Sequence, residues 1–316
     1  MIPYLNDDVF YAIIESALSS NRSYPACQST VAAMMLLSRA CSFTGGKLLA
    51  SSEIKIETLK QLSSFVMFCM ADDGSRARHV KDLTIDIPKE LRFEPIEPWA
   101  RPLAELMLKL SNVSRLSLTP AYSLLSEGAL QREIASLASL NDLSLSEDRS
   151  SLSMRFLAKI KTPLRHLTLR KIYTPSSSED RTTTMSFPEV SGLNIVSETG
   201  KTVYIRPCYI AWSRLSSLAV EVVPLDSLNF TASDHQEDFE QRFFRRGANK
   251  MGNSRWGTLD ELSGSVVDIW TLGLLCRTVR RLVLHVGQYH EYRRRLPRRW
   301  ICWQTYSRTS ARRRWS

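Results

Sequence analysis

The stretch Leu164-Arg165-His166-Leu167-Thr168-Leu169 decides the fold, because its apolar spacing recurs along most of the chain. With φ for an apolar residue and x for any residue, this spacing is φ-x-x-Leu-x-φ. Its seven occurrences have as central residues Leu83, Leu116, Leu143, Leu167, Leu193, Leu218 and Leu282. The gaps between these leucines are 33, 27, 24, 26, 25 and 64 residues, so the last gap is about two repeats long. Each occurrence alternates apolar and polar residues, which predicts a short strand.

A period in the twenties with one short strand per unit resembles the leucine-rich-repeat family. Helical spacing between the strands supports such a unit, most clearly at Leu103, Leu106, Met107 and Leu110. The fold expected is therefore α/β, an irregular leucine-rich-repeat solenoid with a curved parallel sheet. We expect the 64-residue gap to hold an insertion at about 230–260 that carries one degenerate repeat.

The N-terminal residues resemble the F-box family in three segments. Leu5-Asn6-Asp7-Asp8-Val9-Phe10-Tyr11-Ala12-Ile13-Ile14 is similar to its opening helix, and Met35-Leu36-Leu37-Ser38-Arg39-Ala40-Cys41 is similar to its central stretch. Lys47 to Ile56 resembles its closing segment, after a helix predicted to stop near Gly45-Gly46. The predicted organisation is an F-box-like helical unit at 1–60, the repeats at 61–290 and a disordered basic tail at 291–316.

The F-box resemblance implies a non-enzymatic, substrate-recruiting adaptor of a cullin-based ubiquitin ligase. The first helices would dock to a Skp-type adaptor, with Leu5, Val9, Ile13 and Leu37 as apolar anchors. The repeats would bind a protein substrate. F-box units followed by leucine-rich repeats are common among fungal F-box proteins, which favours a cytoplasmic or nuclear location.

Strand alternation sends the leucines inward and the residues between them onto the concave face of the sheet. Small hydroxyl side chains and single charges on that face are suited to reading a protein surface. The residues predicted to bind the substrate are Asp82, Thr84, Asp86, Arg115, Ser117, Asp142, Ser144, His166, Thr168 and Arg170.

The net charge of +10 is concentrated at the C-terminal end of the sequence. From Arg277 onward there are 12 Arg, no Lys and one acidic residue, whereas the preceding residues hold 30 basic and 31 acidic side chains. Beyond Tyr292 the tail is either a basic arm that contacts phosphate or acidic protein, or a segment with no folded role.

The motifs of several enzyme classes are incomplete in this sequence. Gly45-Gly46-Lys47 lacks the first Gly and the Ser or Thr of a phosphate loop. Asp268-Ile269-Trp270-Thr271-Leu272-Gly273 resembles a protein-kinase stretch, but without the other kinase motifs it predicts only a buried helix. The six cysteines form no Cys-x-x-Cys pair, and the five histidines are dispersed. We therefore predict no catalytic residue, cofactor or metal.

Two other interpretations remain open at this point. A free-standing leucine-rich-repeat scaffold would use residues 5–56 only to cap the end of the solenoid. A nucleic-acid-associated protein would bind through the Arg-rich tail. No membrane association is expected, because the apolar runs are far shorter than the ~18–20 residues that span a bilayer.

Overall fold

The computed structural model describes residues 39–71, 74–87, 97–147, 152–170, 188–198, 214–223, 258–273 and 278–285, with a few isolated positions. These residues form an α/β architecture with one nine-stranded parallel sheet. Its strands are β1 Glu53–Ile56, β2 Asp82–Asp86, β3 Arg115–Thr119, β4 Asp142–Ser146, β5 Leu164–Arg170, β6 Val190–Glu198, β7 Ser217–Val223, β8 Thr258–Gly264 and β9 Thr278–Leu284.

The strands lie side by side in chain order, from β1 at one edge to β9 at the other. The predicted parallel sheet is therefore confirmed, and it is not closed into a barrel. The strand register aligns the central leucines of all seven motifs into one row, which runs Ile54, Leu83, Leu116, Leu143, Leu167, Leu193, Leu218, Leu262 and Leu282. From Leu83 to Leu262 this row is buried, with no leucine more than 4% exposed. Apolar burial along the row is thus the main force that fixes the register.

Helices cover the leucine side of the sheet. They are α1 Arg39–Ser51, α2 Leu59–Met70, α3 Glu97–Met107, α4 Ala121–Leu124, α5 Gly128–Ala135, α6 Leu152–Leu157 and α7 Val266–Leu272, with a short 3₁₀ turn at Ala77–His79. Their buried residues, among them Leu103, Leu130 and Phe156, join the leucine row in a single core. The helix predicted from the kinase-like stretch is confirmed as α7, in which Leu272 is buried.

Successive units are also joined by hydrogen bonds just before their strands. The Ser114 hydroxyl donates to the carbonyl of Lys81 (3.2 Å), and the Ser216 hydroxyl donates to that of Ser191 (2.7 Å). These residues lie one unit apart, so each bond links a strand to its neighbour in the sheet. Serine at this position thus adds a directional hydrogen bond to the burial of the leucines, which is not directional.

The predicted helix end at Gly45-Gly46 is wrong, because α1 continues through both glycines to Ser51. Both are buried. A Cβ atom on Gly46 would lie 3.1 Å from Nε of Arg76, whose guanidinium also stacks on Phe68 at 4.9 Å. The glycine therefore serves close packing against the following 3₁₀ segment rather than a chain reversal.

Two prolines lie inside α3. Pro98 is the second residue of the helix, where its missing N–H removes no internal hydrogen bond. Pro102 lies deeper in the helix and removes one such bond. Burial of Trp99 and Leu103 on the core side stabilises this helix despite the lost bond.

Two strands of the sheet, β1 and β8, lie where the sequence motif is absent. β1 lies within the segment predicted as the F-box-like unit, and it pairs with β2 from Glu53 to Ile56. β8 lies in the 64-residue gap and aligns Leu262 with the leucine row. Gly264 stands where the φ-x-x-Leu-x-φ spacing requires an apolar residue, so β8 is not among its seven occurrences. The rest of the predicted insertion lies almost entirely outside the described residues.

Candidate protein-binding face

The side chains between the leucines form the opposite face of the sheet, which we call the polar face. Its first row is Glu53, Asp82, Arg115, Asp142, His166, Gly192, Ser217, Glu261 and Arg281. Its middle row is Lys55, Thr84, Ser117, Ser144, Thr168, Asn194, Ala219, Ser263 and Val283. The third row is shorter and aligns Asp86 with Thr119, and Ser146 with Arg170 and Val196; Ser146 and Val196 are buried.

All ten residues predicted to bind the substrate lie on this face. Thr84, Ser117, Ser144 and Thr168 are half-buried in the middle row, whereas Arg115, His166 and Arg170 are exposed. The sheet thus brings together residues that are up to 88 positions apart in the chain, from Asp82 to Arg170. Whether they bind a partner stays a prediction.

Arg115 joins three neighbouring strands through ion pairs in the first row. Its Nη1 lies 2.8 Å from Oδ2 of Asp82 on β2, and its Nε lies 3.6 Å from Oδ2 of Asp142 on β4. The Arg115 side chain remains 63% exposed, so these pairs stabilise the fold by no more than about 1 kcal/mol each. The other oxygen of Asp142, Oδ1, is buried and has no hydrogen-bond partner within the described part of the chain.

A second ion-pair group lies at the β1 edge. Nζ of Lys55 is 2.8 Å from Oε1 of Glu57 and 3.3 Å from Oδ2 of Asp86. These carboxylates raise the pKa of Lys55, mainly through the hydrogen bond that its ammonium donates to Glu57, while partial burial acts in the opposite direction. The lysine is therefore charged at neutral pH and links β1 to β2 across the polar face.

Strand β1 through strand β4 carry an excess of negative charge on this face. Five carboxylates lie there, those of Glu53, Glu57, Asp82, Asp86 and Asp142, against the two cations Lys55 and Arg115. The net charge of this part, which we call the acidic half, is −3. On β5, by contrast, Arg165 and Arg170 are exposed cations.

His166 lies over a glycine at the centre of the first row. A Cβ atom on Gly192 would be 2.6 Å from Nδ1 of His166 and 3.3 Å from the carbonyl oxygen of Arg165. The missing side chain on β6 therefore gives the imidazole room to lie flat across the neighbouring strand. This places a ring that can donate or accept a hydrogen bond at the boundary of the acidic half.

At the β9 edge, a serine and a histidine are joined. Oγ of Ser263 lies 2.6 Å from Nε2 of His285, and the backbone N–H of His285 donates to the carbonyl of Gly264 at 2.9 Å. Nearby, Arg280 and Arg281 of β9 form ion pairs with Asp260 and Glu261 of β8, at 2.9 and 3.3 Å. These contacts hold the last two strands together, and the Glu261–Arg281 pair lies in the first row of the polar face.

Several residues of the polar face lie outside the seven motifs and were not predicted from the sequence. Lys55 was marked only by the short alternation Ile54-Lys55-Ile56, and Glu57 by nothing at all. Gly192 lies between the motif positions, so no pattern identified it. Ser263 lies on the strand whose motif is degenerate, and His285 follows the last strand.

Metal binding and thiol chemistry find little support in the described residues. No group of three or more His, Cys, Asp or Glu among them could hold a metal ion. Burial raises the pKa of the Cys69 thiol to about 12, despite the opposing charge of Arg76, so this thiol is protonated at neutral pH. Within the same residues, no helix is both long and apolar enough to cross a membrane.

The four residues predicted to anchor an adaptor, Leu5, Val9, Ile13 and Leu37, lie outside the described residues. Comparison with known proteins gives no match of this chain to a protein-family model, a curated protein or a solved structure. The resemblance to F-box and leucine-rich-repeat proteins therefore depends on the residues and their spacing alone.

Proposed function

We propose that this protein is a substrate-recruiting adaptor: a leucine-rich-repeat-like solenoid whose polar face binds a protein, with N-terminal residues that dock to a Skp-type adaptor of a cullin-based ubiquitin ligase. The proposal that the sheet binds a protein is supported by the polar face itself. Parallel sheets normally have apolar residues and helices on both faces. This sheet places apolar residues on one face and hydroxyl, amide and charged side chains on the other.

The sequential strand order supports the solenoid. In doubly wound α/β proteins the chain reverses direction across the sheet, which leaves helices on both faces. Here each strand is added beside the previous one, in the order expected when similar units stack along one axis. Such a stack leaves one long face of the sheet open for a partner.

The size of the polar face fits a protein partner better than a small molecule. Nine strands spaced about 4.8 Å apart span about 38 Å, and three rows of side chains span about 13 Å along the strands. The resulting area of roughly 500 Å² is of the order of one side of a standard protein–protein interface, about 800 Å². The middle row is shallow, because its members are mostly serine, threonine and small residues.

Substitution of the middle row tests the binding part. Ser144→Arg together with Thr168→Arg places two long side chains at the centre of the polar face, so proteins that bind there should no longer be captured. Ser136→Arg is the matched control, since Ser136 is exposed at the end of α5, on the helical side. If the double variant retains every protein that the wild type and the control capture, the polar face is not the binding surface.

A direct binding assay tests the ubiquitin-ligase part. The full-length chain should bind a purified Skp-type adaptor, and Leu5→Asp with Ile13→Asp should abolish binding, because a charged residue cannot enter an apolar pocket between helices. Met67→Asp is the control, since Met67 is 68% exposed on α2. If the wild-type chain does not bind, the ubiquitin-ligase part fails, and a free-standing scaffold with the same polar face remains.

A further inference from the structure

The acidic half of the polar face carries carboxylates that are matched by too few cations. Its net charge of −3 comes from residues on strands β1–β4 and from Glu57 directly after β1. Like charges on one surface repel each other, and a cationic partner removes that repulsion. The surface is therefore suited to a basic partner.

The geometry around Arg115 shows how this surface holds a guanidinium. The Arg115 side chain lies between Asp82 and Asp142, with nitrogen–oxygen distances of 2.8 and 3.6 Å. An additional guanidinium can donate to such carboxylates with two N–H groups, whereas an ammonium acts as a point charge. This favours arginine over lysine in the partner.

The same chain contains a segment of the required chemistry. Residues 286–316, which follow β9, hold nine Arg, no Lys and one acidic residue, Glu291. The pairing of arginines with carboxylates already occurs at the end of the sheet, where Arg280 and Arg281 pair with Asp260 and Glu261. The opposite charges of the segment and the acidic half argue for one as the partner of the other.

We infer that the Arg-rich segment 286–316 binds the acidic half of the polar face of its own chain. Its reach is sufficient: strand β4 lies five strands from β9, or about 24 Å, and β1 lies eight strands away, or about 38 Å. An extended chain covers about 3.3 Å per residue. Arg293, eight residues beyond His285, therefore reaches β4, and Arg298 reaches β1.

Binding in this position covers part of the surface that the proposed function assigns to the substrate. The segment then competes with a substrate for the acidic half, and a substrate must displace it. Arg170, an exposed cation in the third row on β5, repels the segment, which favours a position on strands β1–β4. The inference rests on charge and reach, so it does not require the ubiquitin-ligase part of the proposed function.

Limited digestion of the full-length chain with trypsin tests the inference, because trypsin cleaves after arginine and each site is identified by mass spectrometry. Cleavage after Arg293–Arg299 should be slow in the wild type. Asp82→Asn with Asp142→Asn should speed it by about fivefold or more, because two ion pairs of ordinary strength are lost. About 1 M salt should speed the wild type similarly, since the Debye length falls to about 3 Å.

The control variant Glu105→Gln with Glu133→Gln removes the same charge from helices α3 and α5, and it should leave the tail cleavage slow. Cleavage after Arg155, exposed on α6 and followed by Phe156, reports in the same digest whether each variant is folded. Equal tail cleavage in the wild type and the Asp82/Asp142 variant overturns the inference, as does equal acceleration in the control. Tail cleavage that is fast in every protein and slows only on addition of duplex DNA also overturns it, in favour of nucleic-acid binding.

Discussion

Gly264 at the end of β8 gives the sharpest test of the fold, because two independent features exclude a side chain there. Its φ angle is +156°, a backbone conformation that residues with a Cβ atom rarely adopt. A Cβ atom would also lie 2.7 Å from the carbonyl oxygen of Val220 on β7 and 3.3 Å from Cγ1 of Ile269 on α7. Gly264→Ala must therefore change the backbone conformation and separate two paired strands.

The cost follows from these two features. The backbone conformation contributes about 1–3 kcal/mol, and the forced shift of a well-packed neighbour contributes about 1–3 kcal/mol. We expect a loss of about 3 kcal/mol in local stability at β7–β8. At 1.4 kcal/mol per factor of ten, backbone amides of these strands should then exchange with solvent about 100 times faster. Hydrogen exchange followed by mass spectrometry measures this rate for each segment.

Gly192→Ala is the matched control, since its Cβ atom would meet Nδ1 of His166 at 2.6 Å, a similar distance. Here the contact is with an exposed side chain that can rotate, and alanine is the better strand residue by about 0.5–1 kcal/mol. Gly192→Ala should therefore change the free energy of local opening, measured by hydrogen exchange, by no more than about 1 kcal/mol. If Gly264→Ala exchanges like the wild type, or if both variants are equally destabilised, the backbone-contact argument is refuted.

Two further predictions concern the helices before the first long strands. Thr58 caps α2 in a reciprocal pair with Gln61, whose backbone N–H donates to the threonine hydroxyl at 3.2 Å. Thr58→Ala should lower the free energy of unfolding in urea by about 1 kcal/mol, whereas Thr58→Ser should have little effect. An equal loss in both variants would contradict the capping role. Burial, and then the nearby cations, led by Lys47, lower the pKa of His79 below 6.5. The unfolded chain therefore binds the proton first, so His79 should reduce the stability as the pH falls below 6.5, with no contribution above it. The urea midpoint should drop less between pH 7 and 5.5 in His79→Gln, and an unchanged drop would exclude this residue.

The leucine motifs made most of the sheet predictable. An apolar residue at alternate positions of a strand is expected on the buried face, so the seven motifs predicted seven strands. The buried side is as predicted for β2–β7, whereas Leu282 and Leu284 of the edge strand β9 are 54% and 48% exposed. Their nearly constant spacing also predicted parallel neighbours. The same logic placed Asp82, Ser144 and His166 on the opposite face before any contact between them was known.

The failures have a common physical cause. β8 escaped the pattern because Gly264 replaces its last apolar residue, and that glycine is required by the carbonyl of Val220, a residue 44 positions earlier. The predicted helix end at Gly45-Gly46 was wrong because these glycines make room for Arg76, which lies about thirty residues later. A local pattern of glycine indicates a break, whereas a distant neighbour can require glycine for packing.

The sequence by itself determined which residues of strands β2–β7 are buried, since the period of apolar residues depends only on the backbone geometry of a strand. Only the tertiary structure decided which polar residues meet on the other face. The Asp82–Arg115–Asp142 ion pairs, the placement of His166 over Gly192 and the charge of the acidic half all depend on the register between strands some 24–33 residues apart. That register follows from the burial of the leucine row, which aligns side chains that no local pattern relates to each other.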